Sequence, residues 1–381
     1  LLEELKIINH LQKGINIDSC NLEDFNFGLM IDNFTLKLQG KLHQSILFEL
    51  LGPSVGYLSY KENDDIINTK LVKKVIKDIL QGLDKIHSKN IIHTDLKPDN
   101  ILFKECNKNI IDFINEINKL NINKYYLELF DSSLPEQIKL LDKNKRKIIK
   151  RKIKGKILKD TSKHFKDNII NINKKFLLNE DNEDNEDNED NDKGLELNIT
   201  DIKDINSKNM KFKININTED TCTKIVDFGN SEFLDKKYQD TIYARIYRPP
   251  ENIINDYYDT KSEIWVVGCI LYELLNGCSL FDMSEFMGND IEKDRYHLAQ
   301  MYSILGKMPK EISLESDYSH DLFDNKGRIL KNKEIETILI REELQERINI
   351  EDEELDLIED LIYKMLEYDL NKRLSARELL N

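Results

Sequence analysis

One stretch of 13 residues, 91–103, constrains this chain more than any other part of its sequence. Apolar pairs flank it on both sides, and its polar residues include His93, Asp95, Lys97 and Asn100. A short loop that buried elements anchor at both ends brings its polar side chains together at one surface. The pattern favours a loop that carries chemistry, and the alternative is a solvated polar turn.

The spacing within this loop is typical of phosphoryl transfer. Asp95 is predicted to accept or orient the proton of a substrate hydroxyl, and Lys97 to neutralise charge on the transferred group. Asn100 is predicted to hold a Mg²⁺ ion that bridges the phosphates of a nucleotide.

A second motif, residues 224–229, is an apolar strand that ends in Asp227 and is followed by Gly229. The glycine lets the carboxylate approach a metal, so Asp227 is the predicted second Mg²⁺ ligand. With these two motifs in this order, the chain resembles the eukaryotic protein kinase superfamily over nearly all of its length except one insert. The resemblance implies an α+β, bilobal fold with a mainly helical large lobe, and ATP as the phosphoryl donor.

Composition narrows the class of partner. The 381 residues carry a formal charge of −15 with a pI near 5.1, which argues against nucleic acid or an anionic membrane and suits a cationic peptide. The five cysteines show no paired short spacing, which indicates a reducing compartment. No apolar run approaches the roughly 20 residues that span a bilayer. We expect a soluble monomer of the cytoplasm or also the nucleus.

The start of the chain resembles helix αC of the kinase small lobe, because residues 1–11 place apolar side chains at helical spacing. Glu4 stands where the family places the glutamate that pairs with a lysine of the third strand, although an exposed helix carboxylate is the alternative. That lysine and the glycine-rich phosphate loop are absent from this sequence, so we expect a truncated small lobe. Leu5 and Ile8 should then be exposed to water.

Two strand-like runs follow, at residues 30–38 and 45–51. In the kinase resemblance the second run leads into the hinge that binds adenine. The backbone of Glu49 and Leu51 would then hydrogen-bond ATP, and Phe48 would be the gatekeeper residue.

The kinase resemblance is interrupted by about a hundred extra residues. The predicted domains are a partial small lobe, the first part of the large lobe, a charged spacer and the second part of the large lobe, at residues 1–52, 53–105, 106–220 and 221–381. The spacer contains a lysine-rich run at 142–159 and Asn-Glu-Asp repeats at 179–192. Such dense like charge buries little apolar area, so a largely disordered insert is predicted. The lysine-rich run is a candidate targeting or chaperone-binding signal, and a solvated helix is the alternative.

The subfamily is indicated by Thr94, which replaces the arginine that binds an activation-segment phosphate in most regulated kinases. The loss predicts activity without that phosphorylation. The chain is most similar to the SR-protein kinases, through residues 81–87, Asn230, the insert and residues 318–323. Residues 297–301 resemble the LAMMER kinases instead.

The SR-protein kinase resemblance implies serine or threonine phosphorylation in Arg-Ser repeat proteins, and Lys97 favours these hydroxyls over tyrosine. Asp290, Glu292 and Asp294 are candidates for an acidic groove that docks substrate arginines, and a solvated loop is the alternative. A pseudokinase or truncated scaffold without catalysis is the competing class.

Three further positions bear on the chemistry. Glu251 is predicted to pair with Arg373 in a buried ion pair, against an alternative of two surface charges. Glu263 stands where helix αF usually has an Asp that bonds the catalytic loop, in a helix that Thr260 is predicted to cap. Ala244 replaces a Ser or Thr that usually contacts the catalytic Asp and Lys.

Overall fold

The structure of the chain is a computed structural model. It describes residues 2–17, 19–20, 25–38, 41–58, 68–104, 115–117, 119–135, 142–178, 195–199, 210–214, 221–236, 242–255, 257–284, 286–315, 318–331 and 335–381. The chain divides into two compact units, one formed by residues 1–105 and 217–381 and the other by residues 106–216. The repeats at 179–192 lie outside the described residues.

The first unit begins with helix α1 (Leu2–Leu11) and an antiparallel pair of strands, β1 (Met30–Leu38) and β2 (Lys41–Phe48). Leu5 and Ile8 of α1 are buried, so the expectation that water covers them is wrong. The reason is that α1 lies against the turn that follows Asp227, which covers its apolar face. Apolar side chains of β1 and β2 are exposed, as in Phe34 and Leu42.

Helix α2 (Thr69–Ser88) leads to the catalytic loop. Its first turn is capped by Asn68, whose side chain accepts a hydrogen bond from the Leu71 amide at 3.0 Å. Its apolar stripe is buried, as the helical spacing of the sequence requires. Two short strands, β3 (Ile91–Ile92) and β4 (Ile101–Phe103), then flank the loop, with a 3₁₀ turn at Pro98–Asn100.

The described residues of the second unit form helices and strands, whereas the sequence predicts disorder. It contains helix α3 (Ile122–Ser132), the 36-residue helix α4 (Lys143–Leu178), and a hairpin of strands β5 (Leu195–Ile199) and β6 (Met210–Ile214). Helix α4 includes the lysine-rich run, whose solvated-helix alternative therefore describes it better. Lysine is a good helix former, and Ile157 of α4 is buried.

The chain returns to the first unit at strands β7 (Thr223–Ile225) and β8 (Glu232–Phe233), which sit beside the catalytic loop. Strand β7 pairs antiparallel with β4, and Ile101 is opposite Ile225. Strand β8 pairs antiparallel with β3. These ladders hold the two motif-bearing segments side by side, although more than a hundred residues separate them in sequence.

The large lobe is completed by helices that bury most of their apolar side chains. They are α5 (Pro250–Ile254), α6 (Ser262–Asn276), α7 (Asp290–Leu305), α8 (Lys310–Ser313), α9 (Ser319–Leu322), α10 (Ile340–Gln345), α11 (Asp352–Met365) and α12 (Ala376–Leu380). Helix α6 is almost entirely buried and ends at Gly277, whose φ of 78° suits glycine. Among the described residues, no helix has the length and apolar content needed to cross a membrane.

Candidate active site

The predicted catalytic residues lie together in the loop between β3 and β4. Lys97 Nζ is 3.0 Å from Asp95 Oδ2, and the Asn100 side-chain amide donates to the Asp95 backbone oxygen at 2.8 Å. Asn100 is also within 3.2 Å of Asp95 Oδ2. Asp95 and Lys97 are partly exposed while Asn100 is buried. The Asp95 carboxylate is therefore oriented by Lys97 and Asn100 and remains accessible to solvent.

Glu263 of α6 fixes the backbone of this loop. Its Oε1 accepts hydrogen bonds from the amides of His93 and Thr94, both at 3.0 Å, and its Oε2 lies 2.8 Å from His87 Nε2. The side chain is fully buried. The extra methylene relative to aspartate is therefore accommodated by a second contact, to His87, while the two backbone bonds are retained.

Two hydrogen bonds between the motifs place Asp227 next to this loop. The Val226 amide donates to the Asn100 oxygen at 2.9 Å, and His93 Nε2 lies 2.8 Å from the Val226 oxygen. Asp227 itself is exposed and has a left-handed φ of 66°, with its carboxylate accepting from the Gly229 amide at 3.3 Å. The two predicted metal ligands thus extend from adjacent strand ends.

Three residues near the loop have left-handed backbone conformations that side chains rarely adopt: Thr94 (φ 66°), Asp227 (φ 66°) and Tyr243 (φ 62°). The Thr94 oxygen accepts from the Tyr243 amide at 3.1 Å, and Thr94 Oγ1 donates to the Asn230 oxygen at 2.7 Å. Thr94 therefore connects the catalytic loop to both segments beside it. Such strain persists only where surrounding contacts enforce it, which is common at active sites.

The donor set suits a hard divalent cation. Asn100 and Asp227 offer an amide oxygen and a carboxylate, the ligand types that Mg²⁺ prefers, and such sites use one or two protein groups together with phosphate oxygens. Among the described residues, no group of three or more His, Cys, Asp or Glu side chains could hold a metal. The residues therefore fit a metal that arrives with nucleotide phosphates.

An ion pair that the sequence did not indicate joins the predicted hinge to β7. Lys224 Nζ lies 2.8 and 2.9 Å from the two carboxylate oxygens of Glu49, and the Lys224 side chain is fully buried. Glu49 also accepts from the Leu29 amide at 2.8 Å and donates its own amide to the Leu29 oxygen at 3.0 Å. Any bond from the Glu49 backbone to adenine must therefore use its carbonyl. Phe48 is 37% exposed, and Leu51 is half-buried beside it.

Helix α1, which carries Glu4, contacts the 3₁₀ turn Phe228–Asn230 that follows Asp227. Burial raises the pKa of the Glu4 carboxyl, and the negative charge of Asp227 raises it further.

The predicted pairing of Glu251 with Arg373 is confirmed. The guanidinium donates to both carboxylate oxygens, at 2.7 and 3.0 Å, and the Arg373 side chain is fully buried. Ser262 Oγ donates to the same carboxylate at 2.7 Å. The pair braces the helix that follows the segment 242–249.

Two of the three carboxylates predicted to form an acidic groove bind other groups of this protein. Asp294 is mostly buried, pairs with Arg245 and accepts from the Tyr318 hydroxyl at 2.9 Å. Glu292 closes a capping box with Asn289 at the start of α7. Asp290 is exposed.

Comparison with known proteins agrees with this geometry. The sequence matches the protein kinase domain family over residues 33–117 and 201–381. It is 27% identical to the serine/threonine-protein kinase SRPK of Physarum polycephalum, over 92% of this chain and 69% of that protein. It is 25% identical to the protein kinase dsk1 of Schizosaccharomyces pombe, over 100% of this chain and 72% of that protein.

A third relative and one solved structure are also similar to this chain. The probable serine/threonine-protein kinase sky1 of Dictyostelium discoideum is 29% identical over 100% of this chain and 66% of that protein. A crystal structure of a kinase domain superposes with a TM-score of 0.55 at 20% identity, covering 100% of this chain and 82% of the other, which supports the fold. The chain belongs to the protein kinase family, as a protein serine/threonine kinase similar to the SRPK enzymes.

Proposed function

We propose that this kinase transfers the γ-phosphoryl group of ATP to serine or threonine hydroxyls in Arg-Ser repeat proteins. The observation that carries the proposal is the convergence of Asp95, Lys97, Asn100 and Asp227 on one surface, through bonds of 2.8–3.0 Å within the loop and between the motifs. A protein kinase domain uses ATP and a divalent metal in general, and this donor set suits Mg²⁺.

Within the site, Asp95 is the group placed to orient the substrate hydroxyl and take its proton. Its carboxylate is held by Lys97 and Asn100, so it meets the hydroxyl in a fixed orientation. Lys97 would in addition neutralise charge on the transferred group. Bound Mg²⁺ would neutralise developing phosphate charge, and Asn100 and Asp227 are the residues that would hold it.

For the nucleotide, we assign the adenine contacts to the hinge. The Glu49 carbonyl and the Leu51 backbone would bond adenine, and Phe48 would lie beside it as gatekeeper. The Lys224–Glu49 pair fixes the hinge relative to β7, because Lys224 is on that strand. Asp227 follows three residues after Lys224. Glu4 would contact the same site from α1.

The substrate class rests on the similarity to the SRPK relatives and on charge. Arginine-rich peptides are cationic, and this chain has a formal charge of −15. Asp290 is the exposed candidate for an arginine contact. Thr94 stands in place of a phosphate-binding arginine, so we propose activity that needs no phosphate on the activation segment.

A kinase assay on the purified protein tests this proposal. Arg-Ser repeat peptide should be phosphorylated with Mg²⁺ and ATP, and a peptide with each arginine replaced by alanine should react at least about 10-fold more slowly. Prior treatment with a phosphatase should not reduce the rate. Equal rates on the two peptides would overturn the substrate assignment, and no transfer to either would favour a scaffold without catalysis.

A further inference from the structure

The segment 242–248, between the Asp227 motif and α5, is held by side chains of three helices. The Ile242 amide donates to Asn252 Oδ1 at 3.2 Å, the Tyr247 hydroxyl donates to Glu273 Oε2 at 2.6 Å, and Arg245 pairs with Asp294. These partners lie on α5, α6 and α7, respectively. These contacts hold the segment in position without a phosphate group on any of the side chains involved.

The Arg245 contact is the one that involves opposite charges. Arg245 and Asp294 are 23% and 11% exposed at their side chains, so water screens this pair only partly. The Tyr318 hydroxyl donates to the second carboxylate oxygen of Asp294 at 2.9 Å. In the described part of the chain, Asp294 is the single ion-pair partner of Arg245, so a loss of its charge leaves the guanidinium uncompensated.

The neighbouring His297 cannot replace Asp294 in this role. It lies one turn further along α7, fully buried, with its ring 5.1 Å from the Phe281 ring in an edge contact. Neither of its ring nitrogens has a hydrogen-bond partner among the described residues. Burial, followed by the charges of Arg245 and Arg248, lowers the pKa of His297 to about 3. In the part of this surface that the structure describes, Asp294 is therefore the carboxylate that pairs with Arg245.

The position of Arg245 matters for the chemistry because the segment that carries it is hydrogen-bonded to the catalytic loop. Tyr243, two residues earlier, donates its amide to the Thr94 oxygen at 3.1 Å, and Thr94 precedes Asp95. Arg248 holds the same stretch from the other side, with hydrogen bonds to the Ile242 oxygen at 3.2 Å and the Tyr243 oxygen at 3.3 Å. A shift at Arg245 would therefore move the surface on which a peptide must lie beside Asp95.

We propose that Asp294 is a positioning residue for the peptide substrate, which acts through Arg245 and is oriented by Tyr318. The inference rests on the proposed kinase function and concerns how the same site is kept ready. In this account the Asp294 carboxylate supplies from within the fold the negative charge that fixes the segment. This role differs from that of a docking carboxylate for substrate arginines. If Asp294 positions the segment, removal of Arg245 should lower kcat/KM; if Asp294 docks substrate, removal of Arg245 should tighten peptide binding.

The test compares Asp294→Asn, Arg245→Met and the charge-reversed double variant Asp294→Arg with Arg245→Asp. Steady-state kinetics would be measured with the Arg-Ser peptide, with its arginine-free counterpart and with ATP. Each single variant should lose roughly 10- to 100-fold in kcat/KM for both peptides, because a misplacement of about 1 Å costs on that order. KM for ATP should stay within about 2-fold, and the double variant should recover about 10-fold over the weaker single variant.

Two controls keep the result interpretable. Asp356→Asn breaks another Arg–Asp pair, with Arg341 on the large lobe, and should leave both peptide rates unchanged. Tyr318→Phe removes the hydrogen bond to Asp294 without altering charge and should reduce kcat/KM by about 2- to 5-fold, so it serves if Asp294→Asn does not fold.

The outcomes separate this inference from the proposed function. Wild-type protein that phosphorylates neither peptide would mean that the kinase proposal fails. If the wild type is active, and Asp294→Asn and Tyr318→Phe have the same kcat/KM as the control Asp356→Asn, the positioning role is overturned. Tighter binding of the Arg-Ser peptide by Arg245→Met would also overturn it, since that result identifies Asp294 as a docking site that Arg245 normally occupies.

Discussion

Arg373 donates two hydrogen bonds to the carboxylate of Glu251, at 2.7 and 3.0 Å, with both side chains almost completely buried. The residues are 122 positions apart, and the pair joins the end of the activation segment to the last part of the large lobe. Removal of the arginine would leave a buried carboxylate without its counter-charge.

The first prediction concerns this pair. Arg373→Met should lower the free energy of unfolding by about 3–5 kcal/mol, measured by urea denaturation monitored through Trp265 fluorescence. Arg377→Ala, which breaks the exposed pair with Asp84, is the control and should cost no more than about 1 kcal/mol. Equal losses in the two variants would mean that burial does not govern the energetics of the Glu251–Arg373 pair.

Glu263 gives the second prediction. Glu263→Ala leaves the buried amides of His93 and Thr94 without their acceptor and should cost about 3 kcal/mol of stability, together with a fall in kcat. Glu263→Gln keeps an oxygen in the same place and should retain most of both. If thermal unfolding shows the two variants to be equally destabilised, the hydrogen bonds to the loop backbone are not what the residue contributes.

The third prediction tests the ion pair under the hinge. Lys224→Met should destabilise the protein by about 3–5 kcal/mol, because Glu49 would remain buried and charged. The double variant Lys224→Met with Glu49→Gln should recover part of that loss, and a double-mutant cycle measures the coupling directly. Strictly additive effects of the two substitutions would contradict the pairing.

The fourth prediction concerns the spacer. The strands that flank it are paired, with Phe103 opposite Thr223 and the Lys104 amide donating to the Cys222 oxygen at 2.8 Å. A deletion of residues 107–217, closed by a short Gly/Ser turn, should therefore leave the first unit folded, and loop-closure entropy favours the shorter connection. Calorimetry on the deleted and intact proteins measures this, and a fall of many degrees in Tm would show that the spacer supports the kinase unit.

The sequence was sufficient where local pattern determines structure. The helical spacing of apolar residues at 69–88 predicts α2, a glycine at 277 predicts the end of α6, and motif spacing predicts the catalytic loop; the structure has all three. The prediction for the start of α6 was wrong. Thr260 does not cap this helix, and Asp259 accepts a hydrogen bond from the Lys261 amide at 2.7 Å. Several residues in this region can cap a helix, and local sequence does not decide among them.

Contacts between distant residues explain the remaining differences. The Lys224–Glu49 pair joins residues 175 positions apart, and no periodicity near either residue indicates it. Leu5 and Ile8 are buried because α1 meets the turn after Asp227, which is more than two hundred residues away. The helices of the spacer show a different limit, since charge density predicted disorder while the helix propensity of the same residues favours α4.

The most direct test of the central claim is phosphate transfer from radiolabelled ATP to the Arg-Ser peptide, measured for wild type and Asp227→Ala over a range of Mg²⁺ concentrations. Wild type should transfer phosphate in a Mg²⁺-dependent manner, and Asp227→Ala should lose roughly 10²-fold or more at every concentration while its circular dichroism and Tm stay unchanged. Asp227→Ala with the turnover of wild type at saturating Mg²⁺ would contradict the assignment of this site.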